Sequence, residues 1–156
     1  MELVTIAPFY VVGIAVKTSN ANYDKLHNDM QMLWNKFFTE KIIDKIPNKL
    51  SHDIYSVYTD YEGDYSKPYL ALLGCKVANL DNLPDNLVAK LVNGSTYSRT
   101  TIKGNLHQGV MFEAWQKIWN MDIPRNYMAD FEVYSEKAQN PEQAEVDIFL
   151  GASQLK

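Results

Sequence analysis

Residues 11–17 form an apolar, β-branched run, Val11-Val12-Gly13-Ile14-Ala15-Val16-Lys17, which predicts a buried strand. The polar stretch Thr18-Ser19-Asn20-Ala21-Asn22 then supplies N-cap candidates. Beyond it Leu26, Met30, Leu33 and Phe37 recur at spacings of four, three and four, the period of a helix. Trp34 and Phe38 widen that stripe, and Lys25, Asp29, Gln31, Asn35 and Lys36 form the wet face. A stripe of this kind reads as core rather than as a cofactor box, and Pro47-Asn48 ends the segment. Strands are expected at 53–60 and 69–77, joined by the polar turn 61–68. Residues 79–86, rich in turn formers, read as a linker.

The second half repeats this order with one strand added. Residues 87–92 and 97–102 alternate as strands around Asn93-Gly94, which predicts a hairpin between them. Gly104-Asn105 introduces a helix with Phe112, Trp115 and Trp119 on one side, broadened by Met111, Ala114 and Ile118, and Pro124 closes that region. Final strands are expected near 129–135 and 145–150. The run Leu33-Trp34-Asn35-Lys36-Phe37-Phe38 is matched by Ala114-Trp115-Gln116-Lys117-Ile118-Trp119. Likewise Tyr55-Ser56-Val57-Tyr58-Thr59-Asp60 is matched by Phe131-Glu132-Val133-Tyr134-Ser135-Glu136, and Ala71-Leu72-Leu73-Gly74 by Ile148-Phe149-Leu150-Gly151. The expectation is therefore an α+β fold of duplicated strand-helix-strand-strand modules with pseudo-twofold symmetry. Its antiparallel sheets face one another across a cleft, the kind of seam where pockets form. The chain is read as a single domain, 1–156, with pseudo-repeats at about 10–78 and 86–151.

Composition narrows the function classes. At 156 residues and 46% hydrophobic, the chain can bury one sizeable core without metal or disulfide support. A single cysteine, Cys75, excludes an internal disulfide framework, fits a reducing cytoplasm and reads as a small core residue. The net charge of −4, with no long basic cluster, argues against nucleic acid as a direct partner. The apolar run at 11–16 is too short to span a bilayer and lacks a signal-peptide pattern, so neither membrane insertion nor secretion is expected. His27, His52 and His107 fall on different elements without ligand spacing, so no metal or other cofactor is expected. Ser56, Ser95 and Ser98 have no nucleophile-elbow context, and no Gly-rich phosphate loop occurs.

Candidate chemistry is concentrated in the last two strands. Alternation puts Phe131 and Val133 on one side and Glu132 and Tyr134 on the other. It likewise separates Val146, Ile148 and Leu150 from Glu145, Asp147 and Phe149. If the aliphatic sides pack on the helices, the opposite sides combine Glu132, Tyr134, Asp147 and Phe149, acids among aromatics. That mixture suits an organic cation, although strand acids commonly just face water. Within the matched strands Ser56 becomes Glu132, a carboxylate that is costly to bury without a partner. Tyr58, the first-half counterpart of Tyr134, is a further candidate.

The phrases Ala129-Asp130-Phe131-Glu132-Val133-Tyr134 and Ala144-Glu145-Val146-Asp147-Ile148-Phe149, with the Trp-bearing helices, resemble the GyrI-like effector-binding family. That family includes the ligand-binding domains of AraC- and MerR-type multidrug-responsive regulators. Within it the chain is most similar to stand-alone integron cassette-encoded proteins that bind cationic drugs. The likeness runs from about residue 11 to residue 150. It implies a ligand cleft between two sheets, an acid on the penultimate strand matching Glu132, and a second on the last strand matching Asp147 or, one register away, Glu145. It also implies Phe149 as a nearby aromatic and Phe112 and Trp115 as cleft-lining residues of the second helix. No helix-turn-helix segment is read within 1–156, so promoter binding is not expected.

The leading expectation is a non-enzymatic binding module for cationic or amphipathic aromatic compounds, with a regulator protein as a further partner. The alternatives are a GyrI-like hydrolase of electrophilic xenobiotics with Glu132 as general base, and a gyrase-inhibitor-like interaction protein.

Overall fold

The computed structural model describes residues 2–152. Eight strands and three α-helices follow in the order β1 (Glu2–Ile6), β2 (Phe9–Thr18), α1 (Tyr23–Thr39), α2 (Ile42–Lys45), β3 (Ile54–Thr59) and β4 (Tyr69–Val77). The chain continues with β5 (Val88–Val92), β6 (Ser95–Gly104), α3 (Val110–Trp119), β7 (Arg125–Tyr134) and β8 (Ala144–Ala152). The strands form one antiparallel sheet in the order β1-β6-β8-β7-β3-β4-β2-β5. Strand-helix-strand-strand thus occurs twice, as β2-α1-β3-β4 and as β6-α3-β7-β8. The halves meet where β3 pairs with β7, with Ser56 directly opposite Glu132. The two expected sheets are one continuous sheet, because the central strands of the halves hydrogen-bond to each other.

Local rules explain the helices. Asn22 caps α1, its side-chain oxygen accepting from the Lys25 amide at 3.1 Å. The apolar stripe buries Leu33 and Phe37 and, with Ile42 and Ile46 of the α2 region, packs on Val12, Ile14, Leu73 and Cys75. In the second half Ala114, Trp115 and Ile118 of α3 pack on Ile148 and Leu150 of β8. No helix among the described residues is long and apolar enough to cross a membrane.

One expectation is corrected here, and one strand is added. Asn93-Gly94 does not join a hairpin: β5 pairs with β2, whereas β6 pairs with β1 and β8. The type I′ turn expected of Asn-Gly needs positive φ at both central residues, and neither residue adopts it. Strand β1, which lacks a continuous apolar run, was not anticipated and forms an edge of the sheet.

The connections force curvature. β1 and β5 end the sheet at opposite sides, yet Ala7-Pro8 alone links β1 to β2, and Asn93-Gly94 links β5 to β6. Two linking residues reach roughly 10 Å at most, so the sheet curls until its ends meet, with Gly94 against Pro8. The face turned inward is helix-free and buries Val11, Val57, Leu72, Tyr97 and Phe131. Both faces of the sheet are therefore buried, one by helices and the other by its own curl.

Candidate functional site

Helices α1 and α3 lie on one face of the sheet and leave a cavity of about 530 Å³ above the β3–β7 seam. Leu26, Met30 and Trp34 of α1 line one wall, and Met111, Phe112, Trp115 and Trp119 of α3 line the other. Tyr23 and Phe112 meet across the cleft at a ring separation of 4.8 Å. Tyr58, Glu132 and Tyr134 come from the floor, with Tyr61, Tyr69 and Arg125 further along it.

The aromatic contacts follow the pseudo-twofold axis. Trp115 of α3 meets Tyr58 of the other half edge-on at 5.5 Å, and Trp34 of α1 meets Tyr134 edge-on at 4.9 Å. Each tryptophan therefore reaches across to the partner half's tyrosine. The polar centre breaks the symmetry, since Ser56 stands on one side of the axis and Glu132 on the other.

Glu132 is 2% exposed and holds three hydrogen bonds. Its Oε2 accepts from Trp115 Nε1 at 2.5 Å and from the Tyr58 hydroxyl at 3.1 Å. Its Oε1 accepts from the Tyr134 hydroxyl at 2.7 Å. Ser56 supports this set by donating to the Tyr58 hydroxyl at 3.1 Å. Burial drives the Glu132 pKa above its ordinary value, and the three donors pull only partway back. Burial and the adjacent Glu132 charge push both the Tyr58 and Tyr134 hydroxyls well above the usual phenol range, so both remain donors.

A second buried carboxylate lies two residues earlier on the same face. Asp130 Oδ2 accepts from Arg125 Nη2 at 2.6 Å and from the Tyr61 hydroxyl at 2.5 Å, and its Oδ1 accepts from the Gly151 amide at 2.9 Å. Residues five apart would point to opposite faces of a regular strand, but the register of β7 shifts between Arg125 and Asp130. That irregularity brings the guanidinium back over the carboxylate. Burial lowers the Arg125 pKa, but Asp130 and Tyr61 outweigh it and the net displacement is upward.

Five of the residues singled out from sequence meet at the cleft: Glu132, Tyr134, Trp115, Phe112 and Tyr58. Asp147 and Phe149 do not. Register pairs Glu132 with Ile148, so Ile148 and Leu150 share the helix face with Glu132, while Asp147 and Phe149 take the opposite face. There Phe149 stacks on Phe131 at 4.6 Å, and Asp147 accepts from Thr101 at 2.6 Å. Glu145, the other register, pairs with Lys103 at 3.1 Å and does not reach the cleft either. The aliphatic side of β8 packs on a helix as expected. On β7 the side carrying Phe131 and Val133 instead faces the curled core, which needs no helix to cover it.

Sequence reasoning missed Asp130, although alternation alone puts it on the face of Glu132. It also missed Arg125, whose return depends on an irregularity invisible to strand periodicity. Met30 and Trp34 were read as core and lie at the boundary of core and cavity.

The family described as Cass2, integron-associated effector binding protein, matches residues 2–151. YobU of Bacillus subtilis (strain 168), named as a candidate transcriptional regulator, is 24% identical over 141 residues, covering 88% of this chain and 88% of its own. The integron cassette protein VCH_CASS2, from the mobile metagenome of Vibrio cholerae, superposes with a TM-score of 0.72 at 24% identity. That match covers 97% of this chain and 94% of the other. The protein SAV2435, solved bound to tetraphenylphosphonium, superposes with a TM-score of 0.77 at 16% identity, covering 97% of this chain and 93% of its own. At these identities the structural likenesses establish a common fold.

Proposed function

The chain belongs to the integron-associated effector binding family, and from that premise we propose that its effectors are bulky, lipophilic aromatic cations held in the cleft between α1 and α3. The observation that carries this reading is a buried carboxylate, Glu132, on the floor of an aromatic cavity with only neutral groups as hydrogen-bond partners. Burying a carboxylate is costly, and neutral donors offset part of that cost without cancelling the charge. A cation in the cleft completes the compensation, and the faces of Trp34, Trp115 and the tyrosines attract it further.

Size agrees with this assignment. A cavity of about 530 Å³ lies within the range of roughly 300–1,000 Å³ typical of small-molecule sites. SAV2435, which shares the fold, was solved with a cation of this kind, tetraphenylphosphonium. Binding is reversible and leaves the ligand unchanged. Asp147 and Phe149 have no part in this reading, because they lie on the far face of the sheet.

The test is a fluorescence titration with Trp34 and Trp119 replaced by Phe, so that Trp115 is the sole reporter. An aryl trimethylammonium salt should change Trp115 emission saturably, and mass spectrometry should recover it intact. Folded protein that binds the cation by calorimetry with unaltered Trp115 emission would move the ligand elsewhere. Consumption of the ligand would replace binding with turnover.

A further inference from the structure

We propose that the cleft has a second pole, a subsite at Arg125 that takes an uncharged hydrogen-bond acceptor, a carbonyl-type oxygen, at the end of the ligand remote from its cation. The inference rests on the cleft reading above for its location and adds a requirement on the other end of the ligand. Arg125 lines the same cavity as Glu132, and its side chain is only 5% exposed. Its Nη2 donates to Asp130, but Nε and Nη1 have no hydrogen-bond partner among the described residues. The Tyr127 ring lies 4.4 Å from the guanidinium carbon. A ring face attracts the charge but does not satisfy N–H groups lying in the guanidinium plane. The neighbouring polar groups are already paired: Tyr61 donates to Asp130, Tyr69 to Asn20, and Asn20 to the Tyr65 carbonyl.

A hydrogen bond made in water replaces one already made to solvent, so its net gain is small; a buried donor left unpaired instead carries its full desolvation cost. The Arg125 donors have already been stripped of water, and an oxygen brought by a ligand relieves that cost. Gln108 and Gln116 also line the cavity, but both are exposed and would only exchange water for ligand. Charge decides the kind of oxygen. Asp130 already balances Arg125, and Glu132 is the acid without a cationic partner. A ligand with one cation and a neutral oxygen therefore balances the cleft. A carboxylate in that position would set a second anion beside Asp130, with Glu113 also on the cavity wall. Asp130 and Glu132 are two residues apart on β7, roughly 7 Å, and Arg125 Nη2 lies 2.6 Å from Asp130. That spacing suits one aromatic ring carrying the cation at one end and the oxygen at the other.

The experiment is a square of four ligands on one phenyl ring, titrated calorimetrically at fixed pH and ionic strength. One end carries trimethylammonium or its neutral isostere tert-butyl, and the para end carries acetyl or its isostere isopropenyl, which lacks the oxygen. The acetyl cation should bind the native protein on the order of tenfold more tightly than the isopropenyl cation. Equal affinity of those two cations would overturn the inference while leaving cation binding intact. No advantage of trimethylammonium over tert-butyl would instead overturn the cation-binding reading, and the acetyl advantage is scored separately within each pair. Arg125→Met alone strands Asp130, so the variant to use is Arg125→Met with Asp130→Asn, which removes both charges and keeps an acceptor for Tyr61 and Gly151. The acetyl advantage should fall to within about twofold there, as expected once the donors are gone, and its persistence would exclude Arg125 as their source. Should that variant not fold, the infrared carbonyl band of the acetyl cation bound to native protein decides. A band shifted below its position in an apolar solvent is expected, and an unshifted band would overturn the proposal.

Discussion

Asp130 and Glu132 stand two residues apart on one face of β7, 0% and 2% exposed, yet they are compensated in different ways. Asp130 has a guanidinium at 2.6 Å, together with a phenol and a backbone amide, so its charge is neutralised within the fold. Glu132 has a phenol on each oxygen and an indole N–H, with no cationic side chain among its hydrogen-bond partners. Hydrogen bonds satisfy lone pairs but leave net charge in place. Of the two carboxylates, Glu132 lines the cavity and Asp130 does not. On the proposed reading, burial alone does not distinguish a structural acid from a binding one, and the identity of its partners does.

The largest effect expected is at the compensated acid. Arg125→Met leaves Asp130 buried without its counter-charge, which should cost about 3–5 kcal/mol of stability, measured by denaturant unfolding. The preference for cations should survive in whatever folded protein remains, and its loss would erase the proposed division of labour between the two acids. Glu132→Gln should change stability by only about 1 kcal/mol in either direction, since the variant sheds a desolvated charge and retains a hydrogen-bonding side chain. A loss as large as that of Arg125→Met would mean that Glu132 is a structural acid too.

The same contrast has a pH signature. Because burial raises the Glu132 pKa, the folded state holds a proton that the unfolded chain has already released. Its contribution to stability is therefore fully present below the ordinary value of 4.5 and declines as pH rises through the raised folded value. Urea unfolding across that window should show this decline in the native protein and lose it in Glu132→Gln. Cation affinity should run oppositely, increasing as Glu132 ionises and then levelling off. The smallest effect belongs to Ser56→Ala. It removes a donor to the Tyr58 hydroxyl but leaves Glu132 and its three bonds, so it should cost roughly 0.5–1.5 kcal/mol of stability. Cation affinity should move by less than about twofold, as expected for a lost contact outside the ligand's reach.

Much of this arrangement could be read from sequence because the deciding signals are local. Periodicity located α1 and the strands around it, and the matched runs at Trp34 and Trp115 identified a duplication whose two modules meet at Ser56 and Glu132. What stayed hidden depends on pairing between distant residues. Alternation divides β8 into two sets, but only its register with β7 determines that Ile148, and not Asp147, shares the face of Glu132. Asn93-Gly94 marks a change of direction in the chain, whereas the partners of β5 and β6 are set by curvature of the whole sheet. Strand β1 is short, and only Val4 and Ile6 of it turn toward the inward core, so two alternating apolar positions were too weak a pattern to reveal it.

The central claim, that Glu132 is the counter-charge for a bound cation, is tested most directly by one calorimetric comparison. An aryl trimethylammonium salt and its tert-butyl isostere would be titrated into the native protein and into Glu132→Gln under identical conditions. The native protein should prefer the cation, and Glu132→Gln should reduce that preference on the order of tenfold to a hundredfold, as for a desolvated ion pair, with little change for the neutral compound. An equal preference for the cation in both proteins would contradict the account.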